Sequence, residues 1–209
     1  MKIIKQLLVL LVLLISTQAY AASGMSSGYK LVEPAQPTHS GNKIEVLEFF
    51  FYGCSHCYHL HPLLSEWSKN MPKDVELVYV PTVFNASWEP MAYTFYALEQ
   101  MGKQKKLHDD LFKAWNINNI ALVDLLEIST FVGQRGVDSK AFSDNYQSFG
   151  VQSKVMRSKQ LTQTYNIRGT PTIIVDGKFL ITGLLPADTI RMLDELVERA
   201  RQERRAGKR

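Results

Sequence analysis

Apolar residues along the chain follow two periods, one of strands and one of helices, and their order predicts an architecture. Ile44-Glu45-Val46-Leu47-Glu48-Phe49-Phe50-Phe51 is almost continuously apolar and β-prone, the pattern of a strand covered on both faces. Glu48 interrupts it, and a carboxylate inside such a strand must be neutral, paired or functional. Gly53 ends the strand. From Cys54 the spacing turns helical, with Leu60, Leu63, Leu64 and Trp67 on one face. Pro62 should kink this helix, because the carbonyl of Tyr58 loses its partner.

Val75 to Val80 predicts a second buried strand, after which the pattern is helical as far as Phe149. Four faces are expected there: Met91, Phe95, Leu98 and Met101; Leu107, Leu111 and Trp115; Leu122, Leu125, Leu126 and Val132; and Phe142, Asn145, Tyr146 and Phe149. Asn118-Asn119 and Gly133 to Gly136 separate them. A further helix over about Ser153 to Tyr165 leads to Arg168-Gly169-Thr170-Pro171. Asp176-Gly177, between Thr172–Val175 and Lys178–Ile181, signals a type I′ hairpin. Ile190, Leu193, Val197 and Ala200 mark a last amphipathic helix starting near Pro186 and Asp188. The order predicts an α/β fold with a mixed sheet and an all-helical insertion.

The first residues fit an export signal. Lys2 and Lys5 are followed by the apolar run Leu7 to Ile15 and by Ala19-Tyr20-Ala21, a small-residue cleavage pattern. The run is shorter than the ~20 residues a bilayer needs, so residues 1–21 are expected to be removed and the remainder to be soluble outside the cytoplasm. The formal charge of +4 drops to +2 without Lys2 and Lys5. Six basic and two acidic residues crowd Glu198 to Arg209. This basic tail reads as a solvated, fraying helix end rather than a nucleic-acid or lipid contact.

The chain has two cysteines, Cys54 and Cys57, in the sequence Cys54-Ser55-His56-Cys57. A disulfide between such close neighbours constrains little of the unfolded chain, so the pair is better placed to react than to staple. Export gives it an oxidising compartment. Cys54 in the first helical turn meets the positive end of the helix dipole, which favours a thiolate, and His56 offers a donor or a cation in the same loop. Cys57 lies about one turn deeper, shielded yet within reach of Cys54. Glu48, one strand below, could exchange a proton with Cys57.

The dithiol together with Gly169-Thr170-Pro171 resembles the thioredoxin fold, and specifically the bacterial periplasmic disulfide oxidoreductase family, DsbA. Val46-Leu47-Glu48-Phe49-Phe50 before the dithiol, His56 within it, Tyr58 after it and a helical stretch before the Thr-Pro pair all match. The resemblance implies a thioredoxin-fold first part over 22–84, a helical insertion over 85–150 and a second part over 151–209. It implies Cys54 as nucleophile, Cys57 as resolving thiol, Pro171 as a cis-proline facing them, Thr170 as the residue whose backbone pairs with substrate, and Glu48 as the acid beneath the site. Ser55 departs from the proline familiar at that position. The lysine often found in the following strand is missing, with Tyr79 near its place.

The implied activity is oxidation of reduced, unfolded exported proteins by a monomer that needs no cofactor and is reoxidised by a DsbB-like, quinone-linked inner-membrane partner. An isomerase or reductase on the same fold is the nearest rival; the short lead 22–43 leaves little for a dimerisation domain. A non-enzymatic chaperone would use Tyr52, Tyr58, Trp88 and Tyr93, which read better as core. A zinc site among the two cysteines, His56, His59 and His61 lacks a common helix face and a second C-x-x-C. His59 and His61 are therefore expected at the surface or in a groove, with no metal bound.

Overall fold

A computed structural model describes residues 28–207, so the expected signal at 1–21 lies outside the described residues. The chain runs β1 (Tyr29–Leu31), β2 (Ile44–Phe50), α1 (Ser55–Asn70), β3 (Val75–Pro81), a 3-10 turn at Ala86–Trp88, and α2 (Glu89–Gln100). It continues through α3 (Gln104–Asn116), α4 (Leu125–Gly133), α5 (Ser139–Tyr146), α6 (Phe149–Thr164), β4 (Thr172–Val175), β5 (Phe179–Thr182) and α7 (Pro186–Ala206). The sheet order is β1-β5-β4-β2-β3, with only β2 and β3 parallel.

β2 is an interior strand, paired on both sides, and all seven of its residues are buried, as its apolar run requires. Phe50 and Val46 face the helices on one side; Leu47 and Phe49 pack with Tyr165, Ile167 and Ile174 on the other. β3 differs from expectation. It lies at the sheet edge, and four of its seven residues are only half-buried. The short β1 was not predicted, because three largely solvent-facing residues carry no alternation to read. It pairs with β5, and the lead beyond it folds over the hairpin through Gln36 N–H to the Gly177 carbonyl at 2.9 Å.

Asp176 and Gly177 both have positive φ (54° and 66°), as the type I′ turn demands. A Cβ at Gly177 would lie 2.1 Å from the Gln36 carbonyl oxygen, so the position requires glycine twice over.

Two helix faces are corrected by their caps. The Asp124 carboxylate accepts from Glu127 N–H at 2.9 Å and starts α4 at Leu125. Leu122 is therefore buried ahead of the helix, and Leu126 points outward, 77% exposed. Likewise the Ser148 hydroxyl accepts from Val151 N–H at 3.3 Å and starts α6 at Phe149, earlier than expected; Phe149 belongs to that helix and is 83% exposed.

The basic end of α7 is not a free tail. Arg201 holds Asp74 with its Nε 2.7 Å from Oδ2, and Arg204 clasps the buried Asp176 and donates to the Asn42 carbonyl at 3.0 Å. Arg201 and Arg204 thus spend their charges on carboxylates that the sequence spaces more than a hundred residues away or places in a turn, while Arg199 pairs with Glu203 of the same helix. None of the described helices is long and apolar enough to cross a membrane.

Candidate active site

The β2–α1 junction places the dithiol. After β2, Cys54 N–H bonds the Phe51 carbonyl at 3.0 Å, and Cys54 itself is the N-cap of α1, its own carbonyl taking Tyr58 N–H at 3.0 Å. Gly53 is required for space: a Cβ there would lie 2.5 Å from Phe51 Cε1 and 2.9 Å from Trp115 Cε3. Phe51 is fixed in turn by stacking on Trp88, with ring centroids 3.8 Å apart. Of the four aromatics expected in the core, Tyr52 is fully buried, while Tyr58, Trp88 and Tyr93 are half-buried and pack against the core from its edge.

Both cysteines are free thiols, Cys54 half-buried and Cys57 fully buried. Their environments drive them apart. The Cys54 pKa falls from the ordinary 9.0 to about 5, chiefly because the Cys57 thiol donates to its sulfur. Partial burial opposes this; the Thr170 side chain and the backbone N–H groups of Cys57 and His56 reinforce it. His56 thus acts through its amide, whereas the sequence pointed to its exposed ring. Cys57 moves the other way, raised by burial, by its bond to Cys54 and by the charges of Cys54 and Glu48.

The loop before β4 closes the site from the far side of the sequence. The Thr170–Pro171 peptide bond is cis. The Thr170 carbonyl oxygen accepts from the Cys54 thiol at 3.2 Å, a contact that favours the neutral thiol, while the Thr170 side chain favours the anion. The anion prevails, because several donors converge on one sulfur. Beside this contact runs a groove of about 380 Å³, lined by His56, Pro171, Ile181, Leu184 and Leu185 among others.

Glu48 lies between Tyr79 of β3 and Ile173 of β4 in register, and is buried. Burial first, and then the negative charge of Cys54, push its pKa from 4.5 up to about 8. Its Oε1 has no hydrogen-bond partner. Tyr79, where a lysine would hold the carboxylate ionised, has no positive charge to offer, so the carboxyl keeps its proton near neutrality.

All six residues expected at the site are gathered about the β2–α1 junction and the Thr170–Pro171 loop. His59 is exposed, but His61 is not at the surface: it is 6% exposed, four residues beyond Cys57 on the buried face of α1. Its Nε2 lies 2.5 Å from Asp109 Oδ1. His108, one turn before Phe112 on the buried face of α3, was overlooked; its signal was a polar residue among Leu107, Leu111 and Phe112. Among the described residues, no group of three or more His, Cys, Asp or Glu is placed to hold a metal ion.

The family described as the DSBA-like thioredoxin domain matches residues 45–197. The chain belongs to that family. A protein of Pseudomonas syringae pv. tomato named thiol:disulfide interchange protein DsbA is 34% identical over 200 residues, covering 93% of this chain and 94% of its own. A protein of the same name from Bordetella parapertussis is 32% identical over 196 residues, covering 90% and 93%. The crystal structure of Pseudomonas aeruginosa DsbA superposes with a TM-score of 0.81 at 32% identity, covering 88% of this chain and 95% of that one. An oxidoreductase DsbA from Xylella fastidiosa gives 0.79 at 31% identity, covering 83% and 95%. The mixed five-stranded sheet flanked by helices is thus the DSBA-like thioredoxin fold.

Proposed function

We propose that this chain oxidises reduced cysteine pairs of exported proteins by giving up a disulfide between Cys54 and Cys57. The observation that carries the reading is the divergence of the two sulfurs: Cys54 held as an anion at the head of α1, Cys57 buried and held neutral. Stabilising the Cys54 thiolate stabilises the dithiol against the disulfide, a relation for which this family is itself the standard example, so transfer of the disulfide to substrate is downhill.

The steps follow from the placement. A substrate thiolate attacks Cys54 Sγ; the Cys54–Cys57 bond breaks, and its electron pair goes to Cys57, which takes a proton from Glu48. The second substrate thiol then attacks the substrate sulfur of the mixed disulfide. Cys54 leaves readily because it is a weak base. Thr170 and Pro171 form the wall against which an extended substrate chain would lie, with the His56–Leu185 groove receiving apolar side chains. The electrons move between sulfurs alone.

The site is expected to work in the periplasm, which the sequence of residues 1–21 and the relatives' kind both favour, on unfolded secreted proteins. A DsbB-like quinone-linked oxidase would restore the disulfide, and the protein would act as a monomer. Redox titration of Cys54–Cys57 against glutathione tests the direction. A potential well above thioredoxin's supports an oxidase; one as reducing as thioredoxin's overturns it in favour of a reductase.

A further inference from the structure

Once Cys57 has taken its proton, Glu48 is left as a buried anion until reoxidation unless a proton reaches it from water, and both groups are sealed from solvent. On the helix side of the sheet a row of polar groups leads outward, hydrogen-bonded at two of its links, Tyr52 to His108 and His61 to Asp109. Tyr79 is the cross-strand neighbour of Glu48 in the β2–β3 register, and the rings of Tyr52 and Tyr79 both pack on Phe50, two residues beyond Glu48 on the same face. The Tyr52 hydroxyl lies 2.7 Å from His108 Nδ1. The His108 ring is centred 4.6 Å from that of His61 and 5.0 Å from that of Tyr79. His61 Nε2 lies 2.5 Å from Asp109, whose side chain is 67% exposed.

We infer that His108, His61 and Asp109 are positioning residues that carry protons between Glu48 and solvent. The inference rests on the reading of Glu48 as the proton partner of Cys57.

Three observations support it. His61 Nδ1 and His108 Nε2 are buried without a hydrogen-bond partner, on two rings in edge-on contact at 80°. Each such group costs about 1–3 kcal/mol, which an apolar pair of similar size in this aromatic cluster would not incur, so packing alone does not account for them. A cavity of about 450 Å³, lined by His61, Tyr79, His108 and Asp109 together with Lys69 and Lys105, reaches both rings and is far larger than a water requires. Burial, and then the charge of His61, push the His108 pKa well below its usual range, leaving it a neutral ring. A neutral imidazole takes a proton on one nitrogen and releases one from the other.

The proton balance closes. When the disulfide opens, Cys57 takes the Glu48 proton; His108 returns one to Glu48 by way of the tyrosine hydroxyls, and His61 and Asp109 replace it from water. Reoxidation runs the same path backwards, as Cys57 loses its proton to attack the mixed disulfide at Cys54. The groups facing this path are Cys57 and His61 from α1, Glu48 from β2, Tyr52 from the β2–α1 junction, Tyr79 from β3, and Lys105, His108 and Asp109 from α3, with Lys69 at the cavity.

The test is stopped-flow reaction of the reduced full chain with oxidised glutathione, resolving the step in which Cys57 releases Cys54 from its mixed disulfide. His61→Ala should slow that step by about 10²-fold, with added imidazole restoring it, and Asp109→Asn should slow it by about tenfold. Glu48→Gln should slow it without imidazole rescue. If Glu48→Gln is slow but His61→Ala and Asp109→Asn resolve at the parent rate, or imidazole restores nothing, the route is wrong and the role of Glu48 stands. If Glu48→Gln is as fast as the parent, both fall. Should His61→Ala not fold, Asp109→Asn at the exposed mouth decides alone, an unchanged rate overturning the route.

Discussion

The Thr170 carbonyl oxygen sits 3.2 Å from Cys54 Sγ, joining residues 116 apart in sequence. The contact fixes the loop before β4 against the head of α1, so the Thr170 side chain reaches the same sulfur and favours its anion. Thr170→Val keeps shape and removes the hydroxyl. The Cys54 pKa should rise from about 5, and the disulfide should become less oxidising by about 30 mV for each tenfold change in equilibrium constant. Equilibration with glutathione measures this.

Cys57 is the largest single cause of the acidity of Cys54. Cys57→Ala removes its thiol donor and should raise the Cys54 pKa more than Thr170→Val does. The same variant has no resolving thiol, so it should accumulate a mixed disulfide with glutathione, visible by mass spectrometry.

Glu48 should destabilise the fold in a pH-dependent way. Its folded pKa of about 8 exceeds the ordinary 4.5, so the folded state keeps a proton that the unfolded chain releases. No penalty exists below pH 4.5; it grows as pH rises and is complete above 8. Near neutrality it is on the order of 3 kcal/mol. Glu48→Gln should therefore gain on the parent as pH rises from 4.5 to 8, read from urea unfolding of the reduced protein at several pH values.

Arg204 and Asp176 tie α7 to the β4–β5 turn. Asp176 is buried, with Arg204 Nε 3.1 Å from Oδ2 and Lys178 Nζ at 3.6 Å. Arg204→Ala leaves that carboxylate to Lys178 alone and should cost about 1–3 kcal/mol. Adding Asp176→Asn removes the stranded charge while tolerating the positive φ, and should recover part of the loss. Thermal unfolding of the three variants gives the comparison.

What the sequence disclosed was local. The β2 run, the glycine at 53, the helical spacing of Leu60 and Leu64, and Asp176-Gly177 each settle their conformation within a few residues, and the structure agrees with them. Where a cap side chain decides the register, as at Asp124 and Ser148, apolar spacing alone overran the helix ends. Position in the sheet was also hidden: Val75 to Val80 has the composition of a central strand, yet only the strand order makes it an edge. The cysteines, Thr170 and Glu48 were legible because motifs mark them. His61 and His108 were not, since a buried imidazole becomes visible only when α1 and α3 pack and bring the two rings together.

The account turns on the ionisation of Cys54. Ultraviolet absorbance of the thiolate in the reduced protein, followed against pH, should show a transition centred near 5 that disappears in Cys54→Ser. A single transition near the ordinary 9.0 would contradict it, because a sulfur no more acidic than a free thiol gives the disulfide no reason to leave.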